Sequence, residues 1–460
     1  MMDWRRLMSP ERFRGIQARS GPDRDREGRS LRSPFLRDFD RIVYSSAFRR
    51  LQDKTQVYPF PDTDYVRTRL THSIEVSSVG RSLGLSVGQR LVQMHKLDEP
   101  KDGGLALRPS DFGDVVAAAC LAHDIGHPPF GHAGEEAIRH WFRVDRPDLL
   151  REGCTPEETS DLAHFESNAQ GFRVVTRLQF WRQHGGMQLC CATLGAFTKY
   201  PRGSSRPDAA SGRCEPREKF GYCQQDRPAF EEIAGRLGLL PQSGEVDAWC
   251  RHPLAYLVEA ADDIAYLIVD IEDGFKSGRV PFKEVEDVLM RVAGPEAGSD
   301  RDLVDEDDRI GYLRAKAIGT LIERTVEAFC AHEADLRLGG PEIPLLERID
   351  DREVVREVRR LCQERLYNDE RKLKAEIAGF AVVRGLLEFY TDAVIALERV
   401  GYAIDRTAYL YRKTLRALPG LQNVPHRRYD WLLWVTDYVS GMTDRFAVSQ
   451  YKMVRGFEVG

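Results

Sequence analysis

The chain has 460 residues, of which 42% are hydrophobic and 30% are charged, a composition typical of globular proteins. Its net charge of −5 does not indicate a surface coated by nucleic acid, and no run of roughly 18 uncharged apolar residues predicts a membrane span. The N-terminus lacks the apolar core of a signal peptide, and nine cysteines without paired metal-ligand spacing favour a reducing compartment. We therefore expect a cytoplasmic protein.

In chain order, the first predicted segment is an arginine-rich, lysine-free arm over residues 1–34. We interpret it as a flexible tail, with phosphate or nucleic-acid contact as the alternative. Residues 35–280 are predicted to form one helical body, and residues 281–460 a C-terminal helical part that completes it. The fold class is predicted to be all-α, because apolar residues recur at three- and four-residue spacing in Val115–Leu121, Ala255–Ile271 and Phe380–Leu397.

Two segments do not follow this helical pattern. Residues 188–198 are compatible with a helix or with a short strand. Residues 201–228 contain Pro, Gly, Ser and Arg with little periodicity, which predicts a long loop or insertion.

Polar residues concentrate where an apolar helix ends, within residues 117–136. His123 and Asp124 follow a run of Ala and Leu, and a proline-containing break separates them from His132 and Glu135. Uncompensated polar groups beside such an apolar run are unfavourable, and metal coordination is one way to satisfy them. The segment therefore predicts part of a metal site.

Further candidate ligands lie on other predicted helices. His72 precedes an amphipathic helix, and Asp262 or Asp263 lies on a long helix where Asp262, Tyr266 and Asp270 are spaced to share one face. Taken singly, each of these residues is more often a solvated or core group. The ordered set of His, His-Asp and Asp offers two imidazoles and two carboxylates, a mixed site that suits Mn²⁺, Fe²⁺, Co²⁺, Zn²⁺ or Mg²⁺. The absence of a thiol from this set argues against structural zinc.

The ordered set resembles the HD domain, and the surrounding sequence resembles the deoxyguanosine triphosphate triphosphohydrolase family. The segments that carry the resemblance are RIVYSSAFRRLQDKTQV (41–57), HDIGHPPFGHAG (123–134), FESNAQ (165–170), TLGAFTKY (193–200), EAADDIAYLIVDIED (259–273) and DYVSGMTDRFA (437–447). They occur in the family's order, and the combination is specific, whereas an isolated HD pair is not. The resemblance is weakest over residues 1–34, 201–250 and 280–420.

This resemblance implies an HD-domain, metal-dependent phosphohydrolase fold with additional C-terminal helices that complete the substrate pocket. It implies that His72, His123, Asp124 and Asp262 bind the metal, with Asp262 preferred to Asp263 because Tyr266 then lies one turn away, as in the family pattern. His132 and Glu135 match the family's catalytic pair, and their three-residue spacing lets the carboxylate hold and polarise the imidazole. The positions that match substrate contacts are Gln56, Arg69, His127, Asn168, Lys199, Tyr200, Tyr266 and Asp270.

The implied activity is hydrolysis of dGTP, with other dNTPs as further substrates, to deoxynucleoside and triphosphate. The implied cofactor is a divalent ion (Mn²⁺, Mg²⁺, Fe²⁺ or Co²⁺). The implied partners are further copies of the chain, with a hexamer common in the family, and a dNTP or single-stranded DNA effector, but no membrane. His132 is assigned either the general acid toward the departing 5′ oxygen or the group that positions the nucleophile.

Two alternative functions remain open from the sequence. Another HD phosphohydrolase, such as a nucleoside monophosphatase or a phosphodiesterase, would share the metal ligands but not the TLGAFTKY and DYVSGMTDRFA segments. A nucleotide- or DNA-binding regulator on an HD scaffold would not need an intact site. The presence of every matched ligand, and of His132 and Glu135, argues against the regulator.

Overall fold

The computed structural model describes residues 1–15, 32–56, 67–101, 105–180, 186–208, 213–294, 305–350, 352–366, 370–418 and 424–457. These residues are mostly helical, which confirms the all-α fold class. Among them, the only sheet is an antiparallel pair, β1 (Ser205–Asp208) and β2 (Arg213–Pro216), inside the segment expected to be a loop. No helix of the described part is both long and apolar enough to cross a bilayer.

Twenty α-helices are described along the chain. In the first half they are α1 (Trp4–Leu7), α2 (Pro34–Val43), α3 (Ser46–Arg50), α4 (Arg69–His95), α5 (Pro109–Ala122), α6 (His132–His140), α7 (Asp148–Arg151), α8 (Pro156–Ala163), α9 (Ser167–Arg173) and α10 (Cys191–Phe197). In the second half they are α11 (Arg227–Leu237), α12 (Pro253–Lys276), α13 (Phe282–Ala293), α14 (Glu306–Ala331), α15 (Glu333–Arg337), α16 (Arg352–Arg365), α17 (Glu370–Arg399), α18 (Tyr409–Ala417), α19 (Arg428–Ser440) and α20 (Asp444–Val454). The segment over 188–198, for which helix and strand were both open, contains helix α10.

Helices α4 and α5 pack closely against each other. A Cβ atom on Gly84 would lie 2.6 Å from the backbone oxygen of Phe112, and one on Gly88 would lie 2.8 Å from that of Pro109, so only glycine permits this approach. The two helices run in opposite directions, since Gly88 near the end of α4 meets the start of α5. The first turn of α4 therefore lies beside the last turn of α5, where His123 and Asp124 follow.

The N-terminal segment packs against the body instead of forming a flexible arm. Met2, Trp4, Leu7 and Phe13 are each no more than 2% exposed, and the Trp4 indole donates a hydrogen bond to Glu333. The prediction of a flexible arm over 1–34 is therefore wrong for residues 1–15. It is also wrong for residues 32–34, where α2 begins, while residues 16–31 lie outside the described part. The high arginine content concealed these apolar residues, two of which, Trp4 and Leu7, lie on the short helix α1.

Two hydrophobic clusters form the core. One extends from the N-terminal segment through α4, α5 and α12 to α16, and the other joins α6 and α8 to α17, α19 and α20. Neither cluster follows the boundary placed between 35–280 and 281–460, which stays a prediction.

Candidate active site

Three helices bring the four proposed metal ligands together. His72 lies on α4, His123 and Asp124 follow α5, and Asp262 lies on α12. The ligand atoms of His72, His123 and Asp124 all lie within 4.8 Å of one another. The Asp262 Oδ1 atom lies 3.0 Å from His72 Nε2 and 3.5 Å from His123 Nε2, so the fourth residue belongs to the same cluster.

Neighbouring groups hold His123 and Asp124 in place. The His123 Nδ1–H donates to the backbone oxygen of Cys120 at 2.7 Å, which leaves the Nε2 lone pair directed at the cluster. The Asp124 carboxylate lies 2.9 Å from the Arg69 guanidinium and 3.1 Å from His127 Nε2. Burial raises the pKa of Asp124, but the charges of Arg69 and His123 outweigh it and hold that pKa well below its usual range. Asp124 is therefore a carboxylate at neutral pH.

The side chains of the adjacent residues Asp262 and Asp263 have different partners. Asp263 points away from the cluster and pairs with Arg359 at 3.0 Å, and burial raises its pKa to about 6. Burial also raises the pKa of Asp262, but His123 and the hydrogen bond from His72 outweigh it and lower the value to about 2. Of the two adjacent carboxylates, only Asp262 is placed to join the two imidazoles.

The donor set fits a divalent metal ion. Two imidazole nitrogens and two carboxylates converge, and mixed nitrogen and oxygen ligands suit first-row divalent metals. Metal-binding histidines commonly donate their second ring N–H to a backbone carbonyl, as His123 does here. The cluster is therefore a candidate metal centre.

The His/Asp cluster forms part of the wall of a cavity of about 330 Å³. This size lies in the range of small-molecule binding sites. Besides the four proposed ligands, the wall contains these residues matched by the sequence: Gln56, Arg69, His127, His132, Glu135, Asn168, Lys199, Tyr200 and Tyr266.

Asp270 is the one matched residue that the structure does not place in the cavity wall. It is buried on α12, and the burial of the Cys362 thiol on α16, to which the charge of Asp270 adds, raises the pKa of that thiol to about 12. The i, i+4 and i+8 spacing of Asp262, Tyr266 and Asp270 suggested that the three residues share one helix face. Over eight residues, however, an α-helix rotates by about 80° more than two full turns, so Asp270 is turned away from the direction of Asp262.

His132 and Glu135 both line the cavity, but their interaction differs from the expected one. Glu135 accepts hydrogen bonds from the Ser167 N–H and hydroxyl at 2.9 Å each and lies 3.3 Å from Arg139. Within the described residues, no hydrogen bond joins Glu135 to His132. Burial lowers the pKa of His132, although the charge of Glu135 acts in the opposite direction. Glu135 therefore influences the imidazole through its charge rather than by holding it.

Several polar atoms of the cavity wall are available to a ligand. Gln56 Oε1, Arg69 Nε and His127 Nδ1 are buried and have no hydrogen-bond partner among the described residues. Buried polar atoms without partners are unfavourable, so a polar ligand would stabilise them. Lys199 lies 3.2 Å from Glu259 and 5.5 Å from the centre of the Tyr200 ring, which adds a cation to the same wall.

Sequence reasoning missed further charged residues of the wall. Lys219 pairs with Glu166 at 2.9 Å, and Glu166 also accepts a hydrogen bond from Asn168 at 2.6 Å. Lys372 and Glu376 line the cavity from α17. Glu166 lies within FESNAQ and could have been noticed there. Lys219 and α17 fall where no motif marks a function, and only tertiary packing brings them to the cavity.

Residues 69–164 match the family model of the HD domain. With the helical fold and the His/Asp cluster, this match defines the class of protein as an HD-domain phosphohydrolase. A deoxyguanosinetriphosphate triphosphohydrolase-like protein of Synechocystis is 40% identical over the full length of both chains. Proteins of the same description from Pseudomonas aeruginosa and Listeria innocua are 39% and 34% identical, and each alignment covers at least 99% of both chains. The chain belongs to the deoxyguanosinetriphosphate triphosphohydrolase-like family.

Proposed function

We propose that the protein hydrolyses deoxynucleoside triphosphates, dGTP among them, to deoxynucleoside and tripolyphosphate in a reaction that depends on a divalent metal. The observation that supports this most directly is the convergence of His72, His123, Asp124 and Asp262 at the wall of a cavity that also contains Arg69 and Lys199. The descriptions of the relatives, which name deoxyguanosinetriphosphate triphosphohydrolase, point to the same substrate class.

In the proposed reaction, the oxygen of water bonds to the α-phosphorus, the bond from that phosphorus to the 5′ oxygen breaks, and the 5′ oxygen takes a proton. A divalent ion held by the four ligands would offset negative charge on an α-phosphate oxygen. Arg69, Lys199 and Lys219 would neutralise the polyphosphate, and the buried His127 Nδ1 and Arg69 Nε are polar atoms that a substrate could satisfy.

His132 is proposed as the group that handles the proton. Burial lowers its pKa, so before substrate binds the imidazole is neutral at pH 7 and can position or deprotonate water. A bound polyphosphate would raise that pKa, because negative charge nearby favours the imidazolium, and His132 could then donate to the 5′ oxygen. Glu135 supports either role through its charge.

Tyr266 is proposed to read the sugar. Its side chain lines the cavity one helical turn from Asp262, and the residue is 39% exposed, so it presents its ring to a ligand. A ring packed under deoxyribose leaves no room for a 2′-hydroxyl, and such a fit can discriminate strongly between sugars. We expect dGTP to be hydrolysed far better than GTP, and comparable kcat/KM for the two would contradict this reading.

The decisive experiment incubates the purified protein with each dNTP and Mn²⁺ and separates the products by ion exchange. Tripolyphosphate with deoxynucleoside supports the proposal. Orthophosphate or diphosphate instead would indicate another HD phosphohydrolase, and nucleotide binding without turnover would indicate a regulator.

A matched pair of variants tests the metal site in the same experiment. Asp262→Asn should lose both bound metal, measured by elemental analysis, and tripolyphosphate release. Asp263→Asn should keep the metal, because Asp263 faces Arg359. Unchanged metal content in Asp262→Asn would refute the assigned ligand set.

Three further aspects of the proposal rest on the sequence. A cytoplasmic location is expected from the cysteine usage and the N-terminal composition. Assembly with further copies of the chain and a response to a dNTP or single-stranded DNA effector are implied by the family resemblance.

A further inference from the structure

A buried carboxylate behind the cavity connects two segments of its wall. Asp444, 3% exposed at the start of α20, accepts the backbone N–H of Phe130 on one oxygen at 2.9 Å. Its other oxygen accepts the backbone N–H of Thr55 at 3.0 Å and also the Thr55 hydroxyl. One side chain therefore holds the turn that precedes His132 and the segment that contains Gln56.

A buried lysine side chain, whose pKa burial lowers to about 7, makes a second connection beside the first. Lys54, 4% exposed, donates from Nζ to the backbone oxygen of His127 and, at 2.9 Å, to that of Ser440. Ser440 is the last residue of α19, where the helix dipole favours a cation. Lys54 thus ties the beginning of the 127–132 turn to the end of α19.

The end of α19 is itself firmly anchored. Asp437, one turn before Ser440, accepts hydrogen bonds from Arg173 at 2.7 and 2.8 Å and from Gln170 at 3.0 Å. Both donors lie on α9, which also contributes Asn168 to the cavity. The end of α19, which binds Lys54 and precedes Asp444, is therefore held in place relative to the cavity wall.

The held turn has an unfavourable backbone conformation. Phe130 has φ +62°, a left-handed value that costs free energy for any residue with a Cβ atom, and Gly131 follows with φ +57°. A Cβ atom on Gly131 would lie 2.8 Å from the Arg69 guanidinium, so this turn also sets the space for Arg69. Such a turn persists only when surrounding contacts hold it.

We propose that Lys54 and Asp444 are positioning residues, which hold the 127–132 turn so that His127 and His132 face the substrate. The role in turnover rests on the proposed function. The inference assigns a role to the DYVSGMTDRFA segment, which is remote in sequence from the proposed metal ligands: its Ser440 and Asp444 hold segments of the cavity wall.

The test compares Asp444→Asn and Lys54→Met with Arg445→Ala, a control at an adjacent side chain that is 77% exposed. We expect kcat for dNTP hydrolysis to fall by ~10- to 10²-fold in both positioning variants, the scale of a misplacement near 1 Å. Bound metal should stay unchanged, KM should change much less than kcat, and Lys54→Arg should recover part of the rate. Arg445→Ala should behave as wild type.

Hydrogen exchange of the backbone amides provides a readout that needs no activity. Both positioning variants should exchange faster over residues 127–135 while α5 keeps its protection. Wild-type kcat in the folded variants would overturn the inference, as would unchanged exchange over 127–135 or loss of protection throughout the protein. Failure of the wild-type protein to release tripolyphosphate would instead refute the proposed function, and the exchange measurement would still decide whether Lys54 and Asp444 hold the turn.

Discussion

Replacement of His252 by Asn should change how the stability of the protein depends on pH. His252 is 1% exposed and caps α12, the helix that contains Asp262. Its Nδ1 atom accepts the N–H of Leu254 at 3.1 Å, and its Nε2–H donates to the backbone oxygen of Leu7 at 3.0 Å. The contact at Nδ1 requires the neutral imidazole, because a protonated Nδ1 could not accept the Leu254 N–H, whereas the donation to Leu7 is possible in either charge state. Asn keeps a good capping acceptor but does not titrate.

The size of the effect follows from the pKa of His252, which burial lowers from 6.5 to about 4. The unfolded chain then binds more protons than the folded one between those two values, so stability falls as the pH decreases through this range. When the pH is lowered from about 7.5 to about 5, the protonation of His252 in the unfolded chain should decrease the free energy of unfolding by about 2 kcal/mol, on the basis of 1.36 kcal/mol per pKa unit.

The measurement is urea denaturation of metal-free wild-type and His252→Asn protein at both pH values. The variant is expected to be less stable near pH 7.5, because Leu7 loses its donor, but to lose about 2 kcal/mol less than wild type on acidification. Comparing the two proteins cancels the contributions of the other ten histidines. Parallel losses of stability in the two proteins would refute the reasoning, because His252 would then titrate alike in the folded and unfolded states.

Two further predictions concern the catalytic pair and the packing behind the metal site. His132→Ala should keep bound metal and bind dNTP, as measured by calorimetry, while kcat falls by roughly 10²–10⁴-fold; Glu135→Gln should lose less, and near-normal kcat in His132→Ala would end its proposed role. Gly126→Ala should reduce stability by about 1–3 kcal/mol or more, because its Cβ atom would lie 2.0 Å from the backbone oxygen of Ser167. Gly311→Ala, within α14 and with nothing within 4 Å of its Cβ position, should instead gain about 0.5–1 kcal/mol, and equal melting temperatures for the two variants would contradict this packing.

Helical periodicity and local motifs were readable from the sequence because both depend on neighbouring residues. The apolar spacing in Val115–Leu121 and Ala255–Ile271 predicts two helices that the structure contains as α5 and α12. The position of His123 and Asp124 at a helix end also follows from local sequence, since proline and glycine breakers come directly after them. The family resemblance then indicated which of these polar residues belong to one metal site.

The structure differed from the predictions made from the sequence where a contact joins segments that are distant in the chain. Whether Asp270 reaches the cavity depends on how α12 is rotated against its neighbours, and the burial of Trp4 depends on residues of α5 and α15. Glu135 was expected to form a hydrogen bond with His132, three residues before it in the chain. Its carboxylate instead accepts a hydrogen bond from Ser167 and pairs with Arg139.

The sequence by itself determined the helical class and the family, and the family pattern indicated the candidate metal ligands, with Asp262 preferred to Asp263, because these reside in residue types and short-range spacing. Only the tertiary structure decided that Asp262 contacts both imidazoles while Asp263 pairs with Arg359, and that Lys219, Lys372 and Glu376 reach the cavity. The physical reason is that side-chain direction at a site is set by packing between helices, and a change in rotation of about 100° separates one residue from the next.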